Sequence, residues 1–217
     1  MSGGRIVYQL GADLRLYDIT SDVDRAIPIT LDSDLDQTRE NWIEKPAEYI
    51  PSAHVSPNGD RVALTARGQV FVAPHRQGRF VRVTTRDDVR YRNARFMPDG
   101  KTLLALSDES GEVELWTLPA NGVGQPEQLT SDGDILRWEG IPSPDGNYIA
   151  HHGKGRRLFL YDCKTRENRK IDESKYEDFA DVCWSPDSRW LAYVAYSENQ
   201  FKRIRLYCLK NGQTTDV

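Results

Sequence analysis

ARFMPDGKTLLALSD, Ala94–Asp108, sets a proline, an acid and a glycine between two apolar runs. Proline presets φ for the first central position of a turn, aspartate bonds nearby amides, and glycine accepts positive φ. Such a corner joins two antiparallel strands and sets their register. The corner recurs as SPNG at Ser56–Gly59, SPDG at Ser143–Gly146 and SPDS at Ser185–Ser188. Pro57, Pro98, Pro144 and Pro186 stand 41, 46 and 42 residues apart. That period is close to one four-stranded propeller blade. The corner acids are therefore turn residues rather than calcium ligands or a catalytic dyad.

Each corner is preceded by a short run (SAHV, NARF, WEGI, DVCW) and followed by an alternating one (RVALTA, KTLLALS, NYIAHHG, RWLAYVA). A further strand follows (QVFVAP, VELWTLP, RLFLYD, IRLYCL), then in three units a short closing one (FVRVTT, PEQLTS, NRKID). Period-two alternation places one row of side chains in the core. The pattern predicts an all-β protein, a β-propeller of four-stranded antiparallel blades. A lone blade cannot bury both faces, so blades come in stacked sets. Blades are expected near 50–85, 91–130 and 136–171, with partial blades over 5–30 and 179–217. About five blades are present, and the starts and stops read as a segment of a larger propeller. Its open blade edges would favour self-association. Leu35–Lys45 is the best helical candidate, one or two turns or a loop.

The chain has 217 residues, 29 basic and 33 acidic, and a net charge of −4. Such a balance argues against a nucleic-acid partner. No apolar run is long enough for a membrane span, and the first twenty residues hold no signal-like core. Cys163, Cys183 and Cys208 match no zinc spacing and read as reduced, mostly buried thiols of a cytoplasmic protein.

WIEKPAEYIPSAHVSPNGDRVALTARGQVFVAP, Trp42–Pro74, resembles the propeller region of tricorn-type serine peptidases. The likeness continues from Val89 through Asp134 and more weakly beyond. It implies a large cytoplasmic peptidase with two propellers, a PDZ domain and a catalytic core, whose propellers admit peptides and release products. The family's catalytic Ser and His belong to later domains, so none is assigned to this chain. Expected partners are peptides and the remaining domains of such a parent. A free-standing binding propeller, similar to that of the Tol system, is the alternative; a prolyl-oligopeptidase-type lid would need an attached hydrolase domain.

No G-x-S-x-G elbow, P-loop or G-x-G-x-x-G is present, so no cofactor is expected. His151 and His152 are neighbours on a strand, point to opposite faces and do not share a metal. They read as half-buried or solvent-facing. Arg90, Arg92 and Arg95 enter a strand that would line the propeller axis, where guanidinium groups could hold peptide carboxylates in bidentate fashion. Arg90 and Arg92 share strand parity; Arg95 has the other. Arg86 has Asp87 and Asp88 as ready partners. His54 lies just before a corner and could face the channel. Trp42 and Tyr49, with Glu44 and Lys45, sit on the long connection before the first corner, a candidate pore mouth.

Overall fold

The computed structural model describes residues 4–11, 13–30, 40–133 and 136–217. These fall into two compact units, Met1–Glu44 and Lys45–Val217. The first contains an antiparallel three-stranded sheet of β1 (Arg5–Leu10), β2 (Asp13–Asp18) and β3 (Val23–Ala26), ordered as in the chain.

The second unit holds four meander sheets, each of four strands. They are β4 (Ser52–Val55) to β7 (Val81–Arg82), with β5 (Arg61–Ala66) and β6 (Gln69–Pro74) between; then β8 (Tyr91–Phe96), β9 (Thr102–Ser107), β10 (Glu114–Pro119) and β11 (Glu127–Gln128). The third comprises β12 (Arg137–Pro142), β13 (Tyr148–Gly153), β14 (Arg157–Asp162) and β15 (Asn168–Glu173). The fourth comprises β16 (Ala180–Trp184), β17 (Trp190–Tyr196), β18 (Lys202–Cys208) and β19 (Gln213–Asp216).

Alternation sends successive side chains into different seams. Leu103 and Ala105 join Ala63, Val70 and Val72 of the sheet before, while Leu104 and Leu106 join Ile149 and Tyr161 of the sheet after. On β13, Ile149 faces back and Ala150 forward, where Leu158 and Leu160 meet Leu191 and Tyr193. Each sheet thus covers the apolar face of its neighbour, the burial a single blade cannot achieve alone.

The sheets also meet through their first strands. His54 Nδ1 on β4 accepts from the Phe96 amide on β8, and the Trp184 indole N–H on β16 donates to the Ile141 carbonyl on β12. Sheets stacked face to face with their first strands in contact are blades fanning around a common hub.

The corners carry the expected turn bonds. Gly59, Gly100, Gly146 and Ser188 each donate their amide to the residue three positions earlier, at 2.9 Å, and all four have positive φ. Ser143 Oγ donates to Asp145 Oδ1, and Ser185 Oγ to Asp187 Oδ1, both at 2.6 Å. The same hydroxyls accept the amides of Tyr148 and Trp190, locking the following strands.

Three local expectations are corrected, and one is narrowed. The stretch over 179–217 is not a partial blade, because Gln213–Asp216 pairs with β18 as a fourth strand. Of Leu35–Lys45, expected as one or two helical turns or a loop, part lies outside the described residues; Glu40–Lys45 takes the loop alternative, and a 3-10 turn follows at Pro46–Tyr49. Proline at its start fits the fixed φ of a first helical position. The three cysteines are free, but Cys183 is exposed and the other two half-buried, since the inner strand bearing Cys183 keeps one face open. His151 and His152 do point to opposite faces, yet both are buried, because each face of β13 lies in a seam.

Candidate functional site

The sequence-predicted residues separate into three groups. The first depends on a bulge in β8. Arg92 pairs opposite Leu106 and Arg95 opposite Leu104, with the register shifted between them. Partners two apart lie on one face, so Arg92 and Arg95 share a face, against their parity in the sequence. The extra residue absorbs the difference, and Asn93 takes it up with φ 51. Asp181 does the same in β16, also with φ 51, and β12 carries a shift between Arg137 and Glu139. An Asn or Asp five residues before the corner proline was the signal, since these residues tolerate the left-handed region.

Facing β12, Arg95 pairs with Glu139 at 3.0 Å, and Arg92 Nη2 donates to the Arg137 carbonyl at 3.2 Å. Glu139 also meets His152 Nε2 at 3.4 Å; that hydrogen bond, then the Arg95 charge, holds its carboxyl below the usual range. Burial and the Arg95 charge push His54 down, which suits a neutral ring accepting from the Phe96 amide. Arg95 is thus already matched by a carboxylate. Arg92 has no ion pair among the described residues, and burial followed by the Arg90 charge lowers its pKa.

The second group lies elsewhere. Tyr49 and Arg90 line an open groove of about 540 Å³ with Arg67, Gln69, Asp87 and Asp88. The Arg67 guanidinium sits 5.7 Å from the centre of the Tyr49 ring, a cation–π contact. Arg67 and Gly68 have φ of 49 and 80, the paired positive values of a two-residue hairpin turn between β5 and β6. That turn aims Arg67 into the groove, and an Arg-Gly pair between two strand runs was the legible sign. Gln69 Nε2 donates to the Arg86 and Val89 carbonyls and fixes the facing wall. Arg86 is engaged by Asp88 and Glu109, each at 2.7 Å. Trp42 forms the third group alone: it belongs to the first unit and its side chain is exposed.

A buried charge network escaped the sequence. Arg137 meets Glu114 at 2.7 Å and Asp132 at 2.5 Å, with Arg137 and Glu114 both nearly inaccessible. Asn168 links Asp132 to His151, whose Nε2 lies 2.8 Å from Asn168 Oδ1. Burial holds His151 down to about 4. This chain ties the second four-stranded sheet to the third. Apart from Asp132 and Arg137, these partners stand far apart in sequence and leave no local pattern.

Meander sheets packed face to face through crowded first strands define a portion of a β-propeller. The family model for the tricorn protease second beta propeller domain matches residues 50–217, and the chain belongs to that family. A putative tricorn-like protease C-terminal subunit of Sulfurisphaera tokodaii is 29% identical over 204 residues, covering 92% of this chain and 23% of that protein. The chain thus spans about a quarter of that relative's length. Among solved structures, the tricorn protease matches with a TM-score of 0.69 at 17% identity, over 99% of this chain and 21% of that one. TolB from Acinetobacter baumannii matches at 0.62 and 18% identity, over 98% and 51%. At these identities the two structures bear on the fold alone. No helix among the described residues is long and apolar enough to cross a membrane.

Proposed function

We propose that this chain is a non-catalytic propeller portion of a tricorn-like cytoplasmic serine peptidase. It guides or filters peptides toward a catalytic core that lies outside these residues. The observation that carries this reading is the match of residues 50–217 to a tricorn propeller. Arg92 supports it: a half-buried guanidinium on a first strand, held by a carbonyl and not by a carboxylate. Arg90, with Tyr49 and Arg67, offers a second cationic and aromatic contact on a separate groove. Arg95 and His54 serve mainly to tie neighbouring blades, since both already have partners. Binding is weak, with Kd above about 100 μM, because tight capture would obstruct transit.

The test is titration of a fluorescent unstructured peptide into the chain. Weak saturable binding that R92A reduces several-fold, together with no hydrolysis by the chain alone, is the expected result. Hydrolysis blocked by a serine-directed inhibitor, or binding indifferent to R90A and R92A, would overturn it. The TolB match is one of fold, and the same fold is open to one other reading, a free-standing protein-binding propeller. Tight binding of a folded partner, without preference for unfolded peptide, selects that one.

A further inference from the structure

The three-stranded sheet repeats the last blade with its first strand left out. In β1 and β2, Arg5 pairs with Asp18, Ile6 with Tyr17 and Tyr8 with Arg15. In β17 and β18, Trp190 pairs with Cys208, Leu191 with Tyr207 and Tyr193 with Arg205. The outer pairings agree as well: Arg15 stands opposite Ala26, and Arg205 opposite Asp216. Tyr8 therefore takes the place of Tyr193, Arg15 of Arg205 and Tyr17 of Tyr207. The sequences LRLYD, Leu14–Asp18, and IRLYC, Ile204–Cys208, echo this register.

What differs is the inner edge. The Ile19 amide donates to the Gly4 carbonyl at 2.8 Å. Antiparallel pairing alternates, so Ile6, Tyr8 and Leu10 bond to β2 while the backbone groups of Arg5, Val7 and Gln9 point the other way. Among the described residues no strand lies there. The Leu209 amide sets the same phase in the last blade by donating to the Arg189 carbonyl at 3.0 Å. There Trp190, Ala192 and Val194 face β16, and Ala192 stands opposite Cys183. The face beside the open edge is bare too: Ile6, Tyr8 and Leu10 are 41%, 36% and 60% exposed. Their counterparts Leu191, Tyr193 and Ala195 are 0%, 1% and 3% exposed. No proline or lysine blunts the edge.

We propose that the β1 edge is a strand-addition site whose occupant is a propeller inner strand. The occupant is an extended antiparallel segment, with small or apolar side chains at alternate positions and a Ser-Pro-Asp-type corner at its C-terminal end. It comes from polypeptide other than a second copy of this chain, since the inner strands among the described residues, β4, β8, β12 and β16, are all paired within their sheets. Main-chain bonds to Val7 give affinity and the alternating side chains give selectivity. The inference is independent of peptide transit.

The probe is a synthetic peptide of the β16 segment, Phe179–Ser188, carrying C183S, added to the full chain. The expected result is saturable 1:1 binding that slows hydrogen exchange at Arg5, Val7 and Gln9. V7P, which removes a donor pointing away from β2, should weaken binding at least tenfold. Methylating the peptide amide at position 183, which faces β17 in the parent blade, should weaken it likewise and leaves the protein untouched. Methylation at position 184 should not. Absence of binding, or binding indifferent to both changes, overturns the proposal. So does a concentration-dependent dimer of the chain that alone protects the same three amides and is lost in V7P.

Discussion

The first and last sheets share register, the outer hairpin and even side-chain positions, yet they hold those side chains in opposite environments. Tyr193 is buried against Phe179 at 5.4 Å between ring centres, and its hydroxyl donates to Asp172 at 2.6 Å. Tyr8, at the equivalent position, is exposed. Strand pairing is thus settled locally, by alternation and turn chemistry, while burial depends on a neighbouring face. A blade is a folding pattern before it is a stable unit.

The largest test of that difference is tyrosine truncation. Tyr193→Ala should cost about 3–5 kcal/mol of the second unit's stability, through the cavity and the lost hydrogen bond to Asp172. Tyr8→Ala should cost about 1 kcal/mol or less. Native-state hydrogen exchange reads both units separately, and equal losses would break the comparison.

Acid should divide the units next. His151 titrates near 4 in the folded chain because burial penalises its charge, against about 6.5 when unfolded. The unfolded state then binds more protons in that window, so stability rises with pH from about 4 to about 6.5 and levels off above, by roughly 3 kcal/mol. His151→Gln should flatten this slope for strands β12–β15. The first unit has no histidine and should lack that slope throughout.

The equivalent arginines give a smaller contrast. Arg205 meets Asp172 at 2.8 Å and Asp216 at 2.7 Å, and Tyr193 shares Asp172. Arg205→Met should cost about 1 kcal/mol after solvent screening. Arg15, also half-buried, has one carboxylate partner among the described residues, Asp24, and Arg15→Met should change the exchange rates of β1–β3 less than Arg205→Met changes those of β16–β19. A matching loss at both positions would mean that the first sheet is as well covered as the last.

Smallest is the corner that ties the last blade's inner strand, the element without a counterpart in the first sheet. Ser188 holds φ 59, yet its hydroxyl accepts the Asp145 amide of the neighbouring blade at 3.0 Å. Ser188→Gly relieves the backbone and forfeits the bond, so the thermal midpoint should move by the equivalent of less than about 0.5 kcal/mol. Ser188→Ala keeps the strain and loses the bond, costing about 1 kcal/mol.

The sequence by itself determined the repeat. Proline, acid and glycine at one spacing specify hairpin corners through φ preferences and local hydrogen bonds, and alternation assigns side chains to two faces. Both are short-range effects, so a linear reading captures them, together with the family likeness at Trp42–Pro74. The tertiary structure alone decided the site. Arg92 and Arg95 came onto one face because a bulge inserted a residue, and Tyr49 met Arg67 across a fold of the chain. Glu114, Asp132, Arg137 and His151 joined through seams between sheets. Cross-blade partners are chosen by packing in three dimensions, where electrostatic pairing and desolvation depend on distance through space and not along the chain.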